Sequence, residues 1–344
     1  YRDYMPSGPY GAYRQDYFHN RLCVRPEKIW MGQKQGEYRY SIRDAVPGQD
    51  LLGFLRDAGS YRRTRTQKID FLTFPDFDYS RTRTADEAWG WQADRVVVFV
   101  KNPGCFLVFD IFKSLREEYF TLAGLWHAQK IFDRGEHWYD TGYEKIQNAL
   151  LPSDRRLLIL FPLTQGRLEG TEPEKRHYQD EWLVHQTLAQ HFELGGTAVL
   201  VTVLVPHGSA EDPKSWLGRI SLAPAGPEGK AAGVRIQVGE RAVWIGIKTD
   251  LRMDIARDWR RPRYTFEAGR IRVGDIETNG DFIFAAEEGT RLKYTIVNLT
   301  KALFRGRPLI EAQESLYGLA FDASPDQGGT GKLRYWRDEV VLKK

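Results

Sequence analysis

In the stretch YGAYRQDYFHNRLCVR, residues 10–25, His19 stands between Tyr17 and Asn20, with Tyr13 ahead of them and Arg21 behind. An imidazole titrates near neutrality, a phenol can pass a proton, and an amide can donate to an oxyanion. These are the parts needed to take a proton alpha to a carboxylate and then expel a leaving oxygen. The same spacing suits a structural histidine at the start of a strand, bonded to backbone. His19 and Tyr17 are thus candidate catalytic residues, and Asn20, Arg21 and Tyr13 are candidate substrate contacts.

Other clusters carry chemistry of their own. RDWRRPRY (257–264) sets Arg260 and Arg261 between Trp259 and Tyr264. Arginine forks grip carboxylates and sulfates in bidentate fashion, and flanking aromatics suit a sugar ring; a solvated basic loop is the alternative. RTRTQK (63–68) and SRTRT (80–84) alternate Arg and Thr in the manner of one strand face. Asp110 lies inside the apolar run LVFDIF, which points to a strand end or a buried partner such as Arg95. His127 closes the apolar run GLWH. Asp110 and His127 on adjacent strands form two ligands at most, where zinc takes at least three from the protein, so a salt bridge and a core histidine are expected instead of a metal. Three histidines in RHYQDEWLVHQTLAQH (176–191) match no zinc spacing and read as solvated or strand-edge residues. The sequon NLT (298–300) is too common to carry weight. No GxSxG, GxxxxGK or dinucleotide fingerprint occurs, which disfavours nucleophile-elbow hydrolases, nucleotide enzymes and dehydrogenases.

The elements that must hold such residues read as strands. DRVVVFVKNPGCFLVFDIF (94–112) is two β-branched and aromatic runs around NPG, a hairpin signal. Segments 155–163, 197–206, 232–239, 242–250, 264–275, 280–298 and 334–342 continue the pattern, with turns rich in Gly, Pro and Asp between them. Helical pattern is confined to 48–59 and 141–150; the segment 178–193 fits either state, and its alternation of Trp182, Val184, Gln186 and Leu188 favours a strand. The expectation is an all-β chain: a large antiparallel β-sandwich over residues 1–225 and a smaller C-terminal β-sheet region over 226–344, divided at GPEGKAAG (226–233), with few short helices.

Composition narrows the function classes. The net charge of +4 balances 50 basic against 46 acidic side chains, so no whole-protein field favours nucleic acid, although a basic groove for an acidic polymer remains open. The 18 Phe, 17 Tyr and 10 Trp suit a β-rich core and surfaces that stack on sugars. Two cysteines, Cys23 and Cys105, make no disulfide framework and are expected as buried free thiols. No run has the length of a membrane span. The chain starts at Tyr1 without a leader pattern, as a processed product or a fragment lacking an N-terminal part would.

YRQDYFHNRLCV resembles the segment of heparinase II/III-like polysaccharide lyases in which a tyrosine-containing run leads to His-Asn and an alternating strand. DRVVVFVKNPGCFLVFDIFKS followed by YFTLAGLWH is similar to that family's next landmark: an Asp-Arg, a hairpin ending in a phrase like VFDR, and an aliphatic strand ending in His. The resemblance spans residues 10–127. It implies a C-terminal β-sandwich that packs on an N-terminal incomplete (α/α) toroid, with the active site in the groove between them. The toroid brings a tyrosine and a further His or Asn, and His19 is the sandwich's histidine. The implied reaction is β-elimination on an acidic, uronic-acid polysaccharide such as a glycosaminoglycan or alginate, in a secreted or periplasmic protein. Several family members carry a second histidine two residues after the first, which begins a metal site; Arg21 stands there, and no metal or other cofactor is expected. Ile111 stands where the hairpin phrase commonly has Arg. The alternative is a non-catalytic carbohydrate-binding or structural β-sandwich module, whose binding would rest on aromatics and residues 257–264.

Overall fold

The computed structural model describes residues 16–26, 51–56, 64–142, 154–162, 166–176, 179–251, 253–254, 263–264, 269–299, 301–311 and 333–342. Tyr13, Arg260 and Arg261 lie outside these, as do residues 143–150 of the helix expected over 141–150, whose first two residues end a strand. The chain divides into two compact units between Pro213 and Lys214, ahead of the expected boundary at 225/226.

Among the described residues the first unit opens on a short 3-10 turn, Asp16–Phe18, and has β1 (Leu22–Pro26) and the short helix α1 (Leu51–Arg56) next. Then come β2 (Arg65–Thr73), β3 (Phe77–Asp86), β4 (Trp91–Val100), β5 (Cys105–Ser114), β6 (Glu118–Ala128) and β7 (Lys130–Gly135). β8 (Trp138–Gly142), β9 (Arg155–Leu160), β10 (Leu168–Arg176), β11 (Gln179–Phe192) and β12 (Thr197–Gly208) complete it. Two antiparallel sheets result, of order β2-β3-β4-β5-β12-β9-β8-β7 and β1-β6-β11-β10.

The β4–β5 hairpin forms where the β-branched run stops at Asn102-Pro103-Gly104, with Gly104 at φ +92°, a conformation open to glycine. The segment 178–193 is strand: β11 pairs with β6 from Trp182 opposite Ala128 to Phe192 opposite Glu118. The two sheets face each other through Leu22, Val24, Phe120, Leu122 and Phe192 from one and Trp91, Phe112 and Leu200 from the other. The rings of Phe112, Phe120 and Phe192 meet at 5.0 and 4.7 Å from Phe112. Burying each such ring contributes roughly 1.5–3 kcal/mol, so this trio is a principal anchor between the sheets. On its other face the four-stranded sheet presents Cys23, Ala123, Leu125 and Leu183, which are covered by Tyr17 and by Leu51, Phe54 and Leu55 of α1. That covering layer carries the chemistry-bearing turn.

The second unit contains β13 (Ile220–Leu222), β14 (Ala225–Gly226), β15 (Ala231–Val238), β16 (Arg241–Lys248), β17 (Met253–Asp254), β18 (Arg263–Tyr264) and β19 (Ile271–Val273). It continues with β20 (Ile276–Thr278), β21 (Phe282–Glu288), β22 (Arg291–Leu299), β23 (Lys301–Phe304), β24 (Arg307–Glu311) and β25 (Leu333–Val341). A six-stranded sheet, β13-β15-β16-β21-β22-β25, and a five-stranded sheet, β14-β19-β20-β23-β24, share one core of Ile271, Val273, Ile276, Ile283, Ala285, Tyr294 and Ile296. The sheets approach closely at Gly233 and Gly246: a Cβ on either would sit 2.5–2.7 Å from Val273. The C-terminal region therefore holds two facing sheets.

Both cysteines are buried and free, Cys23 in β1 and Cys105 in β5. Among the described residues no helix is long and apolar enough to cross a membrane.

Candidate functional site

The candidate residues occupy the turn between Asp16 and β1. The backbone closes on itself there: the His19 N–H donates to the Asp16 carbonyl at 3.1 Å and the Arg21 N–H to the His19 carbonyl at 2.8 Å. The polar Asp16 at the head of the segment takes up backbone and side-chain donors that would otherwise be stranded. One carboxylate oxygen accepts from the Tyr17 N–H at 2.9 Å, and the pair accepts two bonds from Arg25, at 2.9 and 2.8 Å. Arg25 also donates to the carbonyl of Leu55, near the end of α1. Burial alone would raise the Asp16 carboxyl. The charge and hydrogen bonds of Arg25, aided by the charge of Arg21 and the Val24 N–H, outweigh it and hold the group below its ordinary value.

Tyr17 is wholly buried in the apolar cluster with Cys23, Phe54 and Leu125. Its ring meets that of His127 edge to face, with centroids 6.1 Å apart, and the Arg56 guanidinium lies 5.4 Å from its ring centroid. His19, Asn20 and Arg21 are half-buried at the surface of the same turn.

Asn20 and Tyr17 are tied to residues a hundred positions away. The Asn20 side-chain oxygen accepts the backbone N–H of His127 at 2.7 Å. The His127 Nε2 lies 2.8 Å from the Tyr17 carbonyl; since a carbonyl only accepts, Nε2 carries the proton there. The Asn20 carbonyl accepts from Arg95. Arg95 in turn grips Asp110 with two bonds, Nε to Oδ1 at 2.7 Å and Nη2 to Oδ2 at 2.8 Å, and its guanidinium lies 5.7 Å from the centroid of the Trp126 ring. Arg95 and Asp110 face one another across β4 and β5.

The expectations for this region therefore resolve unevenly. Asp110 does pair with Arg95, and His127 is a core histidine, 7% exposed. The two lie in different sheets, and each has its own protein partner. Among the described residues no three His, Cys, Asp or Glu side chains gather as a metal site would need. Arg21 has a buried Nε with no hydrogen-bond partner, and its charge acts on the Asp16 carboxylate that Arg25 grips.

Of the histidines in 176–191, His177 is outside the described side chains, and His191 is exposed, 3.5 Å from Glu117. His185 departs from expectation. It is 1% exposed because the β11 register puts it opposite Leu125 on the covered face, and burial pushes its pKa down to about 4. Residues 65–68 and 80–84 of the Arg-Thr segments lie in strands: Arg81 and Arg83 of β3 point to a buried face, and both bond to Asp94 of β4 at 2.6–2.9 Å.

Sequence reasoning did not join Asn20 to His127 or to Arg95. The signal was faint: an Asn directly after His19, an Arg in the middle of one later strand and a His near the end of another.

No family model matches the sequence, and no curated protein matches it. Among solved structures the chain is similar to heparan sulfate lyase HepC from Pedobacter heparinus, with 15% identity over 50% of this chain and 26% of that one, at a TM-score of 0.36. A mutant of the same enzyme gives 12% identity over 54% and 28%, with a TM-score of 0.38. A heparinase III gene product with methylated lysines gives 13% identity over 68% of this chain and 30% of that one, with a TM-score of 0.42. The chain spans less than a third of the length of each of these.

Proposed function

We propose that this chain is the β-sandwich part of a secreted or periplasmic polysaccharide lyase that cleaves uronic-acid-containing acidic polysaccharides by β-elimination, completed by an N-terminal (α/α) toroid. One observation carries the reading. The two stretches that resemble the heparinase II/III-like lyases, far apart in sequence, meet at one turn, where Asn20 accepts from both His127 and Arg95.

In this reading the C5 proton of the uronate passes to a base, a C4–C5 double bond forms, and the C4–O bond breaks. The leaving oxygen takes a proton from an acid. No water is consumed. His19 stands at the carboxylate or at the transferred proton, and Arg21 offsets the carboxylate charge, which lowers the cost of carbanion character at C5. The amide of Asn20 is held by its oxygen, which leaves its NH2 to face the substrate. Tyr17 supports the turn from below, through its ring and its carbonyl. Arg260, Arg261 and Tyr13 remain proposed substrate contacts.

The enclosure of Tyr17 favours a second reading, a carbohydrate-binding or structural sandwich without chemistry of its own. One experiment separates them. The full-length gene product and this chain alone are assayed on a panel of acidic polysaccharides by the ultraviolet absorbance of the unsaturated uronate. The lyase reading expects absorbance from the full-length protein only, and a loss of roughly 10²–10⁴-fold in His19→Ala with the fold retained. Turnover in that variant close to wild type removes His19 from the mechanism, and silence from the full-length protein on every polymer favours the module.

A further inference from the structure

Resting on the lyase reading, we infer that Arg95 is a positioning residue that sets the His19–Arg21 turn through the Asn20 carbonyl. The guanidinium divides its donors. One edge, Nε and Nη2, is spent on the two oxygens of Asp110, and Nη1 reaches the Asn20 carbonyl. Asp110 is 3% exposed and fixed in the middle of β5, so the bidentate grip fixes the plane of the guanidinium, and the plane fixes where Nη1 points. Trp126 flanks the same group and limits its swing.

The turn is thereby held from both sheets. Arg95 reaches Asn20 from the eight-stranded sheet, and His127 reaches Asn20 and Tyr17 from the four-stranded one. The two attachments use different atoms of Asn20, the backbone carbonyl and the side-chain oxygen, so together they fix the peptide that joins it to Arg21 as well as the side chain. A sub-ångström placement of His19 and Arg21 over a substrate carboxylate is the consequence, and misplacement on the order of 1 Å costs about 10²-fold in rate.

Arg95→Met alone strands the Asp110 carboxylate in the interior, so loss of the sandwich in that variant would say nothing about the turn. The informative variant is Arg95→Met with Asp110→Leu, which removes both charges and leaves apolar groups of similar size. It is made in the full-length protein beside Arg95→Lys, which keeps the charge but lacks the fork. Expected for the double variant are an unchanged melting temperature, kcat lower by about 10²-fold, and KM within about threefold of wild type. Arg95→Lys falls between the two. Hydrogen exchange of the His19, Arg21 and His127 amides is measured on the same samples, and the double variant loses protection there. Wild-type kcat together with wild-type exchange in the double variant overturns the inference. If wild-type protein eliminates on no polymer, the lyase reading fails by itself, and exchange still decides whether Arg95 holds the turn: lost protection upholds the clamp, and retained protection overturns it.

Discussion

At the scale of single residues, the informative contrast is between three arginines in one neighbourhood. Arg25 grips Asp16, and Arg95 grips Asp110, each with two hydrogen bonds, while Arg21 acts on Asp16 through its charge and keeps a buried Nε with no hydrogen-bond partner. Guanidiniums gripped by two hydrogen bonds build; in the proposed reading, the one without such a grip keeps donors for a ligand. Arg21→Gln should therefore leave the melting temperature near wild type and lower kcat/KM on a uronate polymer by roughly 10- to 100-fold, the worth of a charge-assisted contact. Steady-state kinetics on the full-length protein check this. An unchanged kcat/KM would move the carboxylate contact to another residue. Arg21 was visible in the sequence as the residue standing where a metal-binding histidine is common, but its ungripped Nε was not, because pairing depends on which strands become neighbours.

At the scale of elements, α1 is too short to be stable alone and stays helical through docking. Its Leu51, Phe54 and Leu55 cover the four-stranded sheet, and the Leu55 carbonyl accepts from Arg25. Arg25→Met breaks this attachment and strands the Asp16 carboxylate, a cost of about 3–5 kcal/mol, which a denaturant titration would register as a lower midpoint. Adding Asp16→Asn to that variant should recover part of the loss, since the stranded charge is gone. How far such elements were legible differs strand by strand. The β4–β5 hairpin was plain because its turn residues and β-branched runs agree. β3 was harder, since its buried alternation runs Phe77, Tyr79, Arg81, Arg83, and the two arginines conceal an inward face that only Asp94 on the next strand explains. β7 was missed: an edge strand with half-buried and exposed residues gives no periodic signal. The meeting of Asn20 with His127 is a matter of sheet order, which short-range patterns do not encode.

At the scale of the whole molecule, acid acts in two stages. His185 has its pKa pushed down to about 4 by burial, from 6.5. Between those values the unfolded chain holds a proton that the folded chain refuses. The stability from this site is fully present above pH 6.5 and is lost as pH falls toward 4, a change on the order of 3 kcal/mol. Asp16 and Asp94 behave in the other sense. For each, burial works against ionisation but neighbouring arginines outweigh it and hold the carboxyl below 3.8, so their contribution persists above 3.8 and is lost as pH falls below it. His185→Gln should flatten the melting temperature between pH 6.5 and 4 and leave the steeper fall below 3.8 intact, which calorimetry across that range would show. The two free cysteines give the same molecule an internal clock. The Cys23 thiol lies under α1 and donates to the Leu55 carbonyl, whereas the Cys105 thiol is in the other sheet, and burial pushes both thiols up, Cys105 to about 12. Neither reacts until its cover lifts. An alkylating reagent followed by peptide mass mapping thus times two separate openings in one sample. Phe54→Ala should speed Cys23 labelling and leave the Cys105 rate unchanged, so the lifetime of the layer beneath His19 can be read without any substrate at all.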